Sequence, residues 1–218
     1  MKYPLPMECH ECSMKSTVWA ELHETLLNEK CPGCGYEQTS LIITNITIGE
    51  KLLERSRFEL SEKHDYTLSI VFSATAFECE LSDCYYKWRL SKSIDRLEAP
   101  PSDEEIEEML RRFYNIVAKI EGASKFACPD GFAGFVKSVN ELKNTVNENF
   151  PSLNVDSLAK SFQEKLFWPR NRILHSGKTD QYQESDAIKC FNIARLGIEI
   201  LKQMDKKKWD EWDKAERT

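Results

Sequence analysis

Cys9-His10-Glu11-Cys12 and, after eighteen intervening residues, Cys31-Pro32-Gly33-Cys34-Gly35-Tyr36 split this chain into two kinds of sequence. Two residues between paired cysteines make a knuckle tight enough to aim both thiolates at one ion, and two such pairs at this separation match a tetrahedral zinc site. Gly33 and Gly35 supply the permissive backbone such a turn needs. The expected ligands are therefore Cys9, Cys12, Cys31 and Cys34. Four thiolates fill the coordination shell and leave no position for water, so the zinc is expected to be structural. His10 lies inside the first pair, but a full set of cysteines leaves it no ligand position. A module of this size has too little core to fold without its ion.

Around the knuckles the residues read as strands, over 17–27 and 39–48, the second rich in β-branched Ile42, Ile43, Thr44, Ile46, Thr47 and Ile48. Gly49 is expected to end this ribbon, so the domains are set at 1–49 and 50–218. From Glu50 onward the apolar period becomes helical, with helices expected near 50–62, 65–95, 103–120, 132–148, 157–175 and 185–208. The fold class is mainly α, a small β ribbon followed by a helical bundle. The third helix is marked by Pro100-Pro101, a capping box of Ser102 and Glu105, and the stripe Ile106, Met109, Phe113, Val117 and Ile120. Asp103 to Glu108 is acidic, which suits that helix N-terminus. The tail, with Trp209 and Trp212, is expected to continue or fray the last helix as a solvated end, the alternative being that the two tryptophans pack on the body or a partner.

With 218 residues, 41% hydrophobic and 30% charged, the composition is that of an ordinary globular chain. Its longest apolar stretches, such as 41–48, are far too short to cross a bilayer. No signal-peptide layout opens the sequence, so a reducing, cytoplasmic setting is expected, in which eight cysteines stay unpaired. A net charge of -6 argues against indiscriminate coating of nucleic acid. Cys79 and Cys84 are five apart on one helix, about 140° around the axis, and do not face one ion. With Cys128 and Cys190 they read as small buried or free thiols.

The segment with chemical content is Phe167-Trp168-Pro169-Arg170-Asn171-Arg172-Ile173-Leu174-His175-Ser176-Gly177. Arginine grips a phosphate with two prongs, histidine exchanges a proton near neutral pH, and asparagine orients either group. Gly177 follows as a C-terminal cap. Lys160, Lys165, Arg170, Arg172 and Lys178 make this the basic part of an acidic chain, and Arg172 and Lys178 are candidate RNA contacts. Five positions on a straight helix set Arg170 about 140° from His175, so a bend at Pro169 or a second protomer is needed to join them. Glu78 and Glu80, on the long helix 65–95, read first as ordinary surface carboxylates, with a pairing of either to Arg170 as the alternative.

The arginine, polar residue and later histidine resemble the motif of HEPN proteins, carried here by Arg170, Asn171 and His175 between a long preceding helix and a following one. The resemblance covers most of residues 50–208 in architecture, though its specific part is this short motif. It implies a helical homodimer that cleaves RNA without a metal cofactor, the substrate's own 2′-hydroxyl attacking the adjacent phosphate to leave a 2′,3′-cyclic phosphate. It also implies a toxin or anti-phage defence effector, under the control of a regulatory protein or antitoxin. A non-catalytic interaction or nucleotide-binding module is the second possibility, and a DNA-binding regulator a distant third, since no basic recognition helix is evident. No glycine-rich phosphate loop is present.

Overall fold

The computed structural model describes residues 2–21, 26–41, 47–95, 102, 104–105, 108, 115–177, 179 and 181–216. Two antiparallel hairpins come first: β1 (Lys2–Glu8) with β2 (Lys15–Glu21), and β3 (Leu26–Lys30) with β4 (Glu37–Leu41). Each carries one cysteine pair at its turn, so the knuckles are the hairpin loops themselves. The expected single strand over 17–27 is thus two strands belonging to different hairpins. The strand before the first knuckle is not evident in the sequence pattern; Pro4 and Pro6, set opposite Trp19 and Thr17, hide it, because proline donates nothing to a ladder.

Thr47 begins the helical part, its hydroxyl accepting from the Glu50 N–H (3.1 Å) while the Glu50 carboxylate accepts from the Thr47 N–H (2.8 Å). Helix α1 (Ile48–Phe58) therefore contains Gly49, which lies against α2 and does not end the ribbon. After a π-turn (Glu59–Lys63), His64 turns left-handed and Asp65 caps α2 (Tyr66–Asp95), accepting from the Leu68 N–H at 2.9 Å. Further helices among the described residues are α3 (Ile116–Ser124), α4 (Gly131–Ser138), α5 (Asn140–Asn149), α6 (Leu158–Phe162), α7 (Trp168–Ser176) and α8 (Glu184–Glu216). Mainly helical is what the sequence leads one to expect.

Two expected helices differ. The Ser102–Glu105 capping box forms, but most of its stripe lies outside the described residues. Asn115 is extended and caps a new helix, its side chain accepting from Ala118 N–H at 2.9 Å, so no helix runs unbroken to Ile120. Val139 splits 132–148 in two; just before it the Ser138 hydroxyl donates to the Phe135 carbonyl (2.7 Å), competing with the helix for that acceptor.

α2 and α8 form the spine, with α1 packed on both and running beside β1. Around Phe77 of α2 gather Phe162 (ring centroids 5.1 Å), Phe167 (6.1 Å) and Phe132 (6.2 Å). All four are essentially buried. α8 crosses this cluster at Gly197, where a methyl group would come within 2.5 Å of Phe162 and 2.6 Å of Phe77. Further along, Asp205 of α8 accepts from the indole N–H of buried Trp88 (2.9 Å) and from Trp209, which places that tail tryptophan on the body.

Candidate functional site

The two knuckles are copies of one backbone design. Cys9 N–H donates to Met14 C=O (2.9 Å) and Cys31 N–H to Tyr36 C=O (2.8 Å), while Ser13 and Gly35 donate back to the carbonyls of Cys9 and Cys31, each at 2.9 Å. The equivalent residues Ser13 and Gly35 are both left-handed (φ 55° and 74°), glycine in one knuckle and strained serine in the other. Gln38 on β4, 5% exposed, joins the hairpins: its amide donates to Glu8 C=O (3.3 Å) and its oxygen accepts from His10 N–H (3.1 Å). Nothing in the sequence flags Gln38, since a lone glutamine matches no motif.

This frame brings Cys9, Cys12, Cys31 and Cys34 together, their sulfurs all within 4.8 Å of one another. Cys9–Cys34 and Cys12–Cys31 are each 3.6 Å apart, close to the roughly 3.8 Å edge of a tetrahedron with metal–sulfur bonds of about 2.3 Å. The four can therefore hold a metal ion. The Cys34 backbone N–H beside Cys31 holds its thiol down to about 6, despite the cost of desolvation. Cys12 gains a similar contact from the Met14 backbone, yet the neighbouring Cys34 thiol and desolvation push it up to about 12. Thiols this crowded do not all ionise without a cation among them. His10 points no ligand atom into the group.

The second cluster surrounds α7. Pro169 has no N–H to donate to the carbonyl four residues back, that of Lys165, and the chain there widens into a π-turn (Gln163–Phe167). The Cys190 thiol of α8 supplies the missing donor, reaching Lys165 C=O at 3.3 Å. Burial pushes that thiol up to about 12, so it acts here as a hydrogen-bond donor. Beyond Pro169 the helix is regular through both Arg170 and His175, so of the two routes for joining them, a bend or a second protomer, the helix itself supplies no bend.

Arg170 and His175 accordingly point to different sides. Arg170 turns to α2 and donates to Glu78 Oε2 (3.1 Å), whose other oxygen pairs with Lys119 of α3 (3.0 Å). Arg170 also donates to Asn171 Oδ1 at 3.3 Å. Glu80, the other candidate partner, instead accepts from the Thr47 hydroxyl and is buried. His175 is exposed in the last turn of α7, which Gly177 closes in the left-handed conformation (φ 60°), and makes no side-chain hydrogen bond among the described residues. Asn171, Arg172, Trp168 and Leu174 are exposed with it.

The expected basic patch is thinner than its composition suggests. Arg170 is engaged by Glu78 and Lys160 by Glu164 (4.0 Å), which leaves exposed Lys165 and Arg172, while Lys178 lies outside the described residues. No helix among the described residues is long and apolar enough to cross a membrane. Compared with protein-family models, with characterised proteins and with solved structures, this chain matches none.

Proposed function

We propose that this protein is a metal-independent endoribonuclease of the HEPN type, built as a homodimer, with a structural zinc ion in its N-terminal ribbon. The observation that carries the reading is α7: His175 is exposed and makes no side-chain hydrogen bond among the described residues, with Asn171 and Arg172 exposed beside it, while Arg170 is held in place from α2. In the proposed reaction one histidine takes the proton of the RNA 2′-hydroxyl as its oxygen attacks phosphorus. The bond from phosphorus to the 5′-oxygen breaks, and a second proton donor restores that oxygen to a hydroxyl. Arginine offsets charge on the phosphate oxygens.

Because Arg170 and His175 sit about 140° apart on one regular helix, a complete site is assembled from two protomers, arginine from one and histidine from the other. Exposed Trp168 and Leu174 on the same helix supply apolar surface for such a pairing. The setting is a cytoplasmic toxin or defence effector restrained by a partner protein. The test is cleavage of a mixed RNA in buffer without added divalent ions: wild type yields 2′,3′-cyclic phosphate ends and His175→Ala yields none. Equal cleavage by the variant would sink the assignment.

One observation favours the non-catalytic module instead. The Arg170–Glu78–Lys119 cluster is a half-buried ion-pair network, and such networks also serve only to dock helices. On that reading Arg170→Ala lowers the melting temperature and no RNA is cut by any form of the protein.

A further inference from the structure

Two cavities stand out in the helical part. The larger, about 640 Å³, lies between α1, α5 and α8 and contains no residue of the Arg170–His175 motif. The second, about 540 Å³, opens where the π-turn, Pro169 and the start of α8 meet the turn after α5. Its volume falls within the roughly 300–1,000 Å³ of small-ligand sites. Residues 170–175 do not line it either, but Pro169, the residue before Arg170, is part of its wall, so it opens at the start of the motif helix.

The chemistry of the wall is specific. Phe150 and Tyr182 contribute half-buried aromatic rings, and Tyr182 is anchored by its hydroxyl, which donates to Pro169 C=O at 3.3 Å. Asn149 and Asn192 contribute carboxamides that make no side-chain hydrogen bond among the described residues. Lys165 and Lys189 are exposed and form no ion pair there. Rings to stack on, amides offering both donors and acceptors, and free ammonium groups together suit a planar heterocycle joined to a phosphate. The carboxylates of Glu164 and Asp186 also line the cavity, so its net charge is balanced and it is not simply an anion trap.

We infer that this cavity seats one unstacked nucleobase of a single-stranded RNA, with Lys165 and Lys189 on the adjoining phosphate, and that it sets which nucleotide lies next to the cut. Pro169 and the π-turn residues Glu164 and Lys165 form one side of it. The missing N–H opens the π-turn, and Cys190 holds the widened turn against α8. This inference rests on the ribonucleotide reading of the motif, yet it is testable without cleavage.

The experiment is titration of the whole protein with each of the four ribonucleoside 5′-monophosphates, with the nucleosides and inorganic phosphate alone as competitors. One or two of the monophosphates are expected to bind in preference to the others, the matching nucleoside to compete, and inorganic phosphate not to. Asn192→Leu is expected to weaken binding roughly tenfold. Lys189→Glu, at an exposed position that does not threaten folding, should weaken the monophosphate while leaving the nucleoside unchanged. Competition by phosphate alone, equal binding of all four bases, no binding, or full binding by both variants would each overturn the base seat. Preferential binding by a protein that cuts no RNA would keep the seat and remove the endonuclease.

Discussion

Replacing Gly197 by alanine tests the crossing on which the whole helical part depends. The added methyl would lie 2.5 Å from one Phe162 ring carbon and 2.6 Å from two of Phe77, whereas carbon atoms pack at about 3.5–4.0 Å. Both rings would have to retreat by about 1 Å. They have little room to move: Phe77 and Phe162 are fully buried and both pack on Phe132, and Phe167 packs on Phe77 as well. Overpacking of this kind costs about 1–3 kcal/mol. Alanine returns up to about 1 kcal/mol through its better helix propensity. The net loss is therefore up to about 2 kcal/mol, which for a chain of this size lowers the melting temperature by up to roughly 8 °C. Phe77 directly precedes Glu78, so the same displacement should loosen the Glu78–Arg170 contact. The assay is a thermal melt followed by helical circular dichroism at fixed protein concentration. A Gly197→Ala protein with an equal or higher melting temperature would refute the packing argument.

Three other outcomes are expected. Purified protein should carry one zinc per chain by elemental analysis, and Cys31→Ser should lose it along with the amide-exchange protection of the ribbon, while the helical signal stays. Glu80 titrates above the ordinary carboxylate range because burial disfavours its charge, so the folded state binds more protons than the unfolded one between those two values. Its contribution to stability thus grows as pH falls through that window, and Glu80→Gln should be more stable than wild type near pH 7, with the advantage vanishing on acidification. Glu50 behaves oppositely, since desolvation is outweighed by Lys202 and Thr47, which hold it down; it is the difference between variant and wild type, not the wild-type curve, that isolates Glu80. Gln38→Ala should cost about 1–3 kcal/mol within the ribbon, from two lost hydrogen bonds at a buried position, read as faster amide exchange in both knuckles.

The cysteine cluster was legible because its chemistry is local: knuckle spacing alone dictates that the sulfurs meet. The hairpins were not, because Pro4 and Pro6 disguise a strand whose partner follows the first knuckle. Helices showed in the apolar period, while their interruptions at Asn115 and Val139 rest on single side chains competing for backbone groups. Glu78 and Glu80 lie about 160° apart around α2, so only one could meet Arg170, and sequence gave no means of choosing. Pro169 reads in the sequence as one source of a bend in the motif, a second protomer being the other way to join it. Its effect falls one turn earlier instead, as the π-turn held by Cys190, a role that no sequence pattern announces.

The central claim, a composite site made of Arg170 from one protomer and His175 from another, is tested most directly by mixing two inactive proteins. Arg170→Ala and His175→Ala, each without activity alone, should after subunit exchange recover about a quarter of the wild-type rate, because half of the dimers are mixed and each mixed dimer holds one intact site. Cyclic phosphate ends on the products would confirm the chemistry. No recovery in a mixture shown to contain mixed dimers, or activity in either variant alone, would contradict the account.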